Sequence, residues 1–174
     1  LKGQWPADWK DPNCPRAMEK RKAVLTWMDT YMNYGMILDI PSQSFLNTKA
    51  IPLHGIRNIR DAIDATHINN EYFIQNRSGK CKFLNVLQGT NHTESDDWYA
   101  EMKKYCDPNL YPDNHFNGWA FGGQTKIDIQ LTLHRMVDII HDGLLIEGKH
   151  DLIHCLGVSI LEYAVLFTDI QKAI

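Results

Sequence analysis

The sequence predicts an α/β fold in which helices cover the faces of a parallel sheet. Two observations indicate this class. Four short runs of consecutive apolar residues have the length and composition of strands buried on both faces. Amphipathic segments with helical spacing alternate with these runs, and one of them precedes the first run. No shift of composition divides the 174 residues, so we expect a single domain over 1–174.

The composition is that of a globular protein. With 44% hydrophobic and 22% charged residues, it excludes a disordered chain, a collagen-like repeat and a small disulfide-stapled scaffold. The net charge of −3 argues against a broad basic surface for nucleic acid, although not against a local one. The four cysteines are widely spaced, and no apolar run approaches the roughly 20 residues that span a bilayer. We therefore expect reduced thiols, no membrane partner and a cytoplasmic location.

The N-terminal part contains the first helix and the first strand. Residues 1–14 are rich in Pro, Asp and Trp and predict an irregular N-terminal segment. Pro15 suits the first turn of a helix, because its missing N–H would have no partner there. The elements predicted next are a helix from Pro15 to Tyr34-Gly35, a strand over 36–41 closed by Pro41, and a helix from about His54 towards Gln75.

The remainder of the chain repeats the pairing of strand and helix. The predicted strands cover 82–87, 118–121 and 152–156. Thr93 is the expected N-cap of the helix after the first of these. Residues 127–133 alternate apolar and polar, so a strand is the alternative to a helix there. The last helix, over 160–174, is apolar on nearly every face until Thr168 and is expected to be buried. The helix before it carries an apolar stripe at helical spacing: Ile129, Leu133, Met136, Val137 and Ile140.

Polar side chains and glycines stand where the predicted strands end. They are Asp39-Ile40-Pro41-Ser42, Gln88-Gly89-Thr90, Gly122-Gly123-Gln124 and Gly157-Val158-Ser159. In parallel α/β proteins this edge of the sheet binds ligands, because the loops meet there on a rigid frame. A carboxylate and an amide suit a planar heterocycle, and glycines let backbone groups approach it closely. Turn chemistry alone is the alternative at each position. Their shared position favours a binding site.

The histidines form no recognisable metal motif. His134 and His141 lie seven residues apart on one predicted helix, near Asp138 and Asp142, but the HExxH pattern is absent. Charged residues along one helix face usually form a solvated surface. The GxSxG motif of hydrolases and the GxGxxG motif of dinucleotide-binding proteins are also absent. We expect neither a metal nor a cofactor.

Four motifs, taken in order, resemble a known family. They are LDIP (38–41), LNVLQG (84–89), GWAFGG (118–123) and HCLGVS (154–159). Their order is similar to that of the tRNA-guanine transglycosylase superfamily, most of all to the branch that inserts 7-deazaguanine bases into DNA in phages and bacteria. The resemblance implies a (β/α)8 barrel of the TIM type, of which this chain is an incomplete, central part with about four β/α units. It also implies exchange of guanine for a 7-deazaguanine base through a covalent aspartyl intermediate, with DNA favoured over tRNA as the partner.

The resemblance implies roles for individual residues as well. Asp39 matches the aspartate that recognises the purine-like face of the base. Gln88, with Gly89 beside it, matches the glutamine that hydrogen-bonds the base carbonyl. Gly123, preceded by Gly122, matches the backbone contact to the base, whereas Gln124 stands where the transfer-RNA enzymes usually have Leu.

The catalytic residues of that family have no counterpart in this sequence. The nucleophilic aspartate lies on the strand after the helix that follows the LGV motif, which places it beyond Ile174. The acid–base aspartate lies upstream of the LDIP-like segment, where no residue matches it. We therefore expect no base exchange from this polypeptide alone, and covering of its open edges by another copy or an accessory protein. The alternatives are a non-catalytic half-barrel module that binds guanine or deazaguanine, and an unrelated α/β-barrel enzyme.

Overall fold

The structure is a computed structural model that describes residues 7–123 and 128–173. The helices are α1 (Pro15–Tyr31), α2 (Ile51–His54), α3 (Ile59–Asn76), α4 (His92–Met102), α5 (Ile129–His141) and α6 (Leu161–Ala173). The strands are β1 (Tyr34–Met36), β2 (Lys82–Leu87), β3 (Gly118–Phe121) and β4 (Leu152–Cys155). Short 3-10 turns cover Ser44–Leu46 and Lys103–Cys106. Residues 7–14 contain turns and no helix or strand, and the predicted irregular segment otherwise lies outside the described residues.

The strands form one parallel sheet in the order β1-β2-β3-β4, and this sheet curls into a half-barrel. The carboxyl ends of the strands are level, since Leu87 of β2 pairs with Phe121 of β3 and Phe121 pairs with Cys155 of β4. Parallel strands that follow one another in sequence are joined by right-handed crossovers, which place the helices on one face. The predicted α/β class with a parallel sheet is confirmed.

The two central strands lie in the middle of the core. Phe83, Val86 and Trp119 are fully buried. The indole N–H of Trp98 donates to the carbonyl of Val86 at 2.9 Å and so ties α4 to β2. The indole N–H of Trp119 donates to the carbonyl of Leu144, also at 2.9 Å. Burial on both faces explains why these strands are continuous apolar runs in the sequence.

The first strand lies earlier in the chain than predicted. Helix α1 ends at Tyr31, and β1 pairs with β2 only over 34–36, not over the predicted 36–41. The amide of Ile37 still donates to the carbonyl of Leu84 at 3.1 Å. The amide of Asp39 then donates to the carbonyl of Ile37, and this tight turn ends the ladder. The predicted strand therefore continues as a loop that carries Asp39.

Two helix starts also differ from the prediction. The segment expected to form one helix from His54 contains α2 and α3, because Gly55 adopts a left-handed φ of +75° and ends α2. Asn58 caps α3 by accepting a hydrogen bond from the amide of Asp61 at 2.9 Å. The N-cap of α4 is Asn91 and not Thr93, since the Asn91 side chain accepts from the amide of Glu94 at 3.0 Å. Asn has the same capping chemistry as Thr, so the sequence alone does not separate the two positions.

The last two helices are less buried than their apolar residues predict. An apolar stripe normally faces the core, yet Leu133, Val137 and Ile140 of α5 are exposed. Residues 129–133 lie in α5, so the alternative strand is wrong for them. Helix α6 has no buried residue among those described, which corrects the expectation of a buried helix. It packs against the core through Phe167 and Ile170, which are partly buried. Strand β4 lies at the edge of the sheet and has one neighbour.

Two expectations from composition can be compared with the structure. All four cysteines are free, and Cys81 and Cys106 are buried. Within residues 7–123 and 128–173, none of the helices combines the length and the apolar character needed to cross a bilayer.

Candidate functional site

The predicted site residues meet at the carboxyl edge of the sheet, around the side chain of Gln88. Gln88 follows β2 and is only 5% exposed. Its Nε2 donates to Oδ2 of Asp39 at 2.6 Å, and its Oε1 accepts from Oγ of the buried Ser42 at 3.3 Å. Both ends of the amide therefore have a defined partner. The oxygen faces Ser42 and the nitrogen faces Asp39.

The Asp39–Gln88 pair retains hydrogen-bonding capacity after these contacts. Nε2 of Gln88 carries a second proton, and the Asp39 carboxylate has a second oxygen, Oδ1, that the bond between the two does not use. A donor and an acceptor thus stand side by side at the edge of the sheet. This is the pattern that a planar ring with an adjacent acceptor and donor would match.

Gly122 and Gly123 pack directly on the Gln88 amide. A Cβ at Gly122 would lie 2.9 Å from Nε2 of Gln88. Gly123 has a left-handed φ of +56°, and a Cβ there would lie 2.6 Å from Oε1. Any side chain at Gly123 would displace the amide from its place between Ser42 and Asp39.

Gly89 serves a different contact. Gly89 has a φ of +140°, and a Cβ added there would lie 2.7 Å from the amide nitrogen of Ser95. The chain therefore passes close to the first turns of α4 at this point. Gly89 lies beside Gln88 but packs on α4 and not on the amide. Gln124 lies outside the described residues. Residues 157–159 follow β4, and Gly157 has a left-handed φ of +69°.

Helix α3 holds the backbone on both sides of Asp39. The Asn69 side chain donates to the carbonyl of Leu38 at 2.6 Å, and the amide of Ile40 donates to Oγ1 of Thr66 at 2.9 Å. Asn69 and Thr66 are fully buried. The carboxylate of Asp39 is therefore carried by a short loop whose position is set by a long helix.

The position of α3 is in turn connected to the N-terminal segment. The buried guanidinium of Arg21 in α1 donates to Oδ1 of Asn69 at 2.7 Å and to the carbonyl of Trp9 at 3.1 Å. A continuous set of hydrogen bonds thus runs from Trp9 through Arg21 and Asn69 to Leu38. It links residues that are far apart in the sequence to the loop that carries Asp39.

Burial changes the ionisation of the site. It raises the pKa of Asp39 to about 6, and hydrogen bonds from Gln88 and from the backbone of Asp39 itself only partly oppose this effect. At neutral pH the carboxylate is charged and ready to accept hydrogen bonds. Slightly below pH 6 it becomes a neutral donor.

A cleft of about 380 Å³ lies on the other side of Asp39. Its volume is in the range of small-molecule sites. Its lining includes Trp9, Pro41 and His54. Nδ1 of His54 accepts from the amide of Ile56 at 3.0 Å, and burial lowers the His54 pKa, which favours the neutral ring with its proton on Nε2. Asp39, Trp9 and His54 thus line one cleft.

Sequence reasoning placed Ser42 with Asp39 in the segment that ends the first predicted strand, but it did not identify Trp9 or His54. Trp9 and His54 carry no positional signal, because they reach the cleft only when the N-terminal segment and α2 pack beside the loop of Asp39.

Comparisons of the chain with known protein families, with curated proteins and with solved structures returned no match. The function is therefore inferred from the geometry of the site.

Proposed function

We propose that this chain recognises the guanine-like edge of a planar base and is the base-recognition part of a glycosyltransferase. The reaction proposed for the whole enzyme is replacement of guanine in a nucleic acid, DNA before tRNA, by a 7-deazaguanine base through a covalent aspartyl intermediate. The observation that supports it is the pairing of Asp39 with Gln88, backed by Gly122 and Gly123, at the carboxyl edge of a parallel sheet. The sequential strand order and the curl of the sheet support a barrel of the TIM type.

The hydrogen-bonding pattern of the pair matches guanine. The N1–H and the exocyclic 2-amino group of guanine or a 7-deazaguanine both donate and would bond the Asp39 carboxylate. The neighbouring 6-carbonyl accepts and would bond the second proton on Nε2 of Gln88. Adenine presents an amino donor in place of that carbonyl, so it would leave buried polar groups unpaired. We expect discrimination between the two bases of about 100-fold or more.

Equilibrium binding tests this proposal most directly. Guanine, 7-cyano-7-deazaguanine and adenine are titrated into the chain by calorimetry at pH 7.5, with Asp39→Asn and Asp113→Asn as variants. Asn at position 39 can still accept from Gln88, so the variant keeps the fold while it loses the charged acceptor. Asp113 lies in an exposed loop and provides a matched control.

We expect guanine and the deazaguanine to bind and adenine to bind weakly. Asp39→Asn should weaken the binding of guanine by about tenfold or more, the value of hydrogen bonds to a charged group. Asp113→Asn should have no effect. A folded chain that binds no purine, or that binds guanine equally well with Asn at position 39, would disprove the proposal.

An exchange assay separates the two forms of the proposal. Incorporation of labelled guanine into DNA or tRNA by the whole enzyme supports the glycosyltransferase. Binding of the base without exchange by the whole protein supports the non-catalytic base-binding module instead. The stretch 1–174 alone is expected to bind without exchange.

A further inference from the structure

A second cluster of polar side chains lies between α4 and α5. Each helix carries a histidine followed four residues later by an aspartate, His92 and Asp96 on α4, and His134 and Asp138 on α5. Residues four apart share one face of a helix. The spacing within a single helix indicated no metal motif, and only the packing of α5 against α4 brings the two pairs together.

The distances within the cluster are those of a set of potential metal ligands. One ligand atom from each of Asp96, His134 and Asp138 lies within 4.8 Å of the others. The ring of His92 lies next to that of His134, with centroids 5.9 Å apart. The side chains of His134 and Asp96 are 50% and 53% exposed, so both are accessible to an ion from solvent.

A buried arginine holds the two carboxylates in place. Arg135 is 2% exposed and packs on the ring of Tyr99, with 4.5 Å from its guanidinium carbon to the ring centroid. It donates to one oxygen of Asp96 and, at 2.8 Å, to Oδ2 of Asp138. Each carboxylate has a second oxygen that these bonds do not use. The two carboxylates and the one guanidinium together carry one net negative charge, which favours a cation.

We propose that His92, Asp96, His134 and Asp138 form a binding site for a divalent transition-metal ion of the zinc class. Imidazole nitrogen with carboxylate oxygen is a donor set that suits Zn²⁺, whereas Mg²⁺ and Ca²⁺ prefer oxygen alone. Bonds of about 2.0–2.2 Å would bring the ligand atoms closer together than they are now. This contraction requires rotation of the exposed His134 side chain.

The ion would tie together α4 and α5, two helices that follow the site loops. Helix α4 begins shortly after Gln88-Gly89, and α5 follows Gly122-Gly123 in the chain. A metal between the two helices would therefore restrict both loops around the Gln88 amide. The metal site itself does not depend on which base, if any, that amide recognises.

Titration with Co²⁺ tests the proposal, because tetrahedral Co²⁺ has strong visible absorption and Zn²⁺ displaces it. The tag-free chain is compared with His134→Ala, His92→Ala and the double variant. His141→Ala is the matched control, since His141 lies on the same helix, is 88% exposed and stands outside the cluster. Circular dichroism without metal verifies that each variant is folded.

We expect one Co²⁺ per chain with a tetrahedral spectrum that Zn²⁺ removes. Each single cluster variant should bind at least about tenfold more weakly, the double variant should lose the tetrahedral spectrum, and His141→Ala should bind like the unmodified chain. Absence of binding at about 100 µM metal would overturn the proposal. So would a double variant that binds as well as the unmodified chain, or an equal loss in His141→Ala.

Discussion

The charged carboxylate of Asp39 destabilises the folded protein, which indicates that Asp39 has a functional role. Its pKa rises to about 6 because the carboxylate is less well solvated in the folded chain than in the unfolded one. An apolar or amide side chain would avoid that cost. Groups with such raised pKa values in a cleft are concentrated at functional sites.

Asp39→Asn should therefore stabilise the protein at high pH. The folded-state pKa lies above the ordinary value of about 3.9, so the charged carboxyl disfavours folding most above pH 6 and has no effect below about pH 3, where both states are protonated. We expect the free energy of unfolding to rise by about 2 kcal/mol at pH 8 and the gain to vanish near pH 3. Urea denaturation across this range measures it, with Asp113→Asn as the control. An unchanged or lower stability at pH 8 would contradict the raised pKa.

The same ionisation should govern ligand affinity. The charged form of Asp39 accepts the donors of a guanine edge, so the association constant for guanine should rise about tenfold per pH unit below 6 and level off above about 7. Calorimetry from pH 5 to pH 8 checks this. An affinity independent of pH would show that Asp39 is not the group that meets the base.

Gly123→Ala tests the packing on the Gln88 amide. Its matched control is Gly143→Ala, because Gly143 has a similar φ of +69° but an added Cβ there meets no atom within 4 Å. Backbone strain alone should cost about 1 kcal/mol in the control. Gly123→Ala should cost more and should also weaken binding of guanine, because its Cβ would displace Gln88. Equal losses of stability and unchanged binding would argue against this contact.

Helix α1 positions the site loop although it contains no site residue. Its Arg21 is fully buried and joins the N-terminal segment to α3, which holds the backbone around Asp39. The buried hydrogen bonds of Arg21 are made to Oδ1 of Asn69 and to the carbonyl of Trp9, and both acceptors would lose this donor if the guanidinium were removed. Buried polar groups without partners are expensive.

Arg21→Met should destabilise the protein by about 2–3 kcal/mol, because it keeps much of the side-chain volume and removes the donors. Lys22→Met, on the exposed side of the same helix, should change stability by less than about 0.5 kcal/mol. Denaturant unfolding of both variants provides the comparison. Equal effects would show that the network from Trp9 to Leu38 contributes little.

The sheet has a protected centre and a more open edge. Strands β2 and β3 are paired on both sides and almost wholly buried, whereas β4 has one neighbour and a half-exposed surface. Helix α6 covers β4 with Phe167 and Ile170, while Leu161 and Val165 remain exposed. Local stability follows burial and contact density.

Amide hydrogen exchange should therefore be slowest in β2 and β3. Among the helices and strands that follow β3, it should be fastest in α6. Mass spectrometry of the exchanging chain measures this order directly. Protection of α6 equal to that of β2 would mean that its exposed apolar face is covered in solution. Dilution of the protein would then show whether another copy provides the cover.

The local sequence was sufficient to predict the bounds of the strands that are buried on both faces. The predicted bounds of β2 and β3 agree with the structure, because a strand buried on both faces is an uninterrupted apolar run that ends at Gln-Gly or Gly-Gly. The positions of Asp39, Gln88 and Gly123 after successive strands also predicted that they would meet, since parallel strands end at one edge. Whether they bind a base stays a prediction.

Only the tertiary structure decided the features that depend on a neighbour. The start of β1 depends on which residues of β2 are available for backbone hydrogen bonds. The buried face of α5 depends on the contact of Arg135 with Asp96 of α4. The exposure of α6 follows from the edge position of β4. The role of Arg21 and the pairing of His92 with His134 depend on contacts between distant segments, and local patterns carry no information about such contacts. Sequence periodicity reports burial averaged over an element, whereas the partner that buries it is set by the packing of the whole chain.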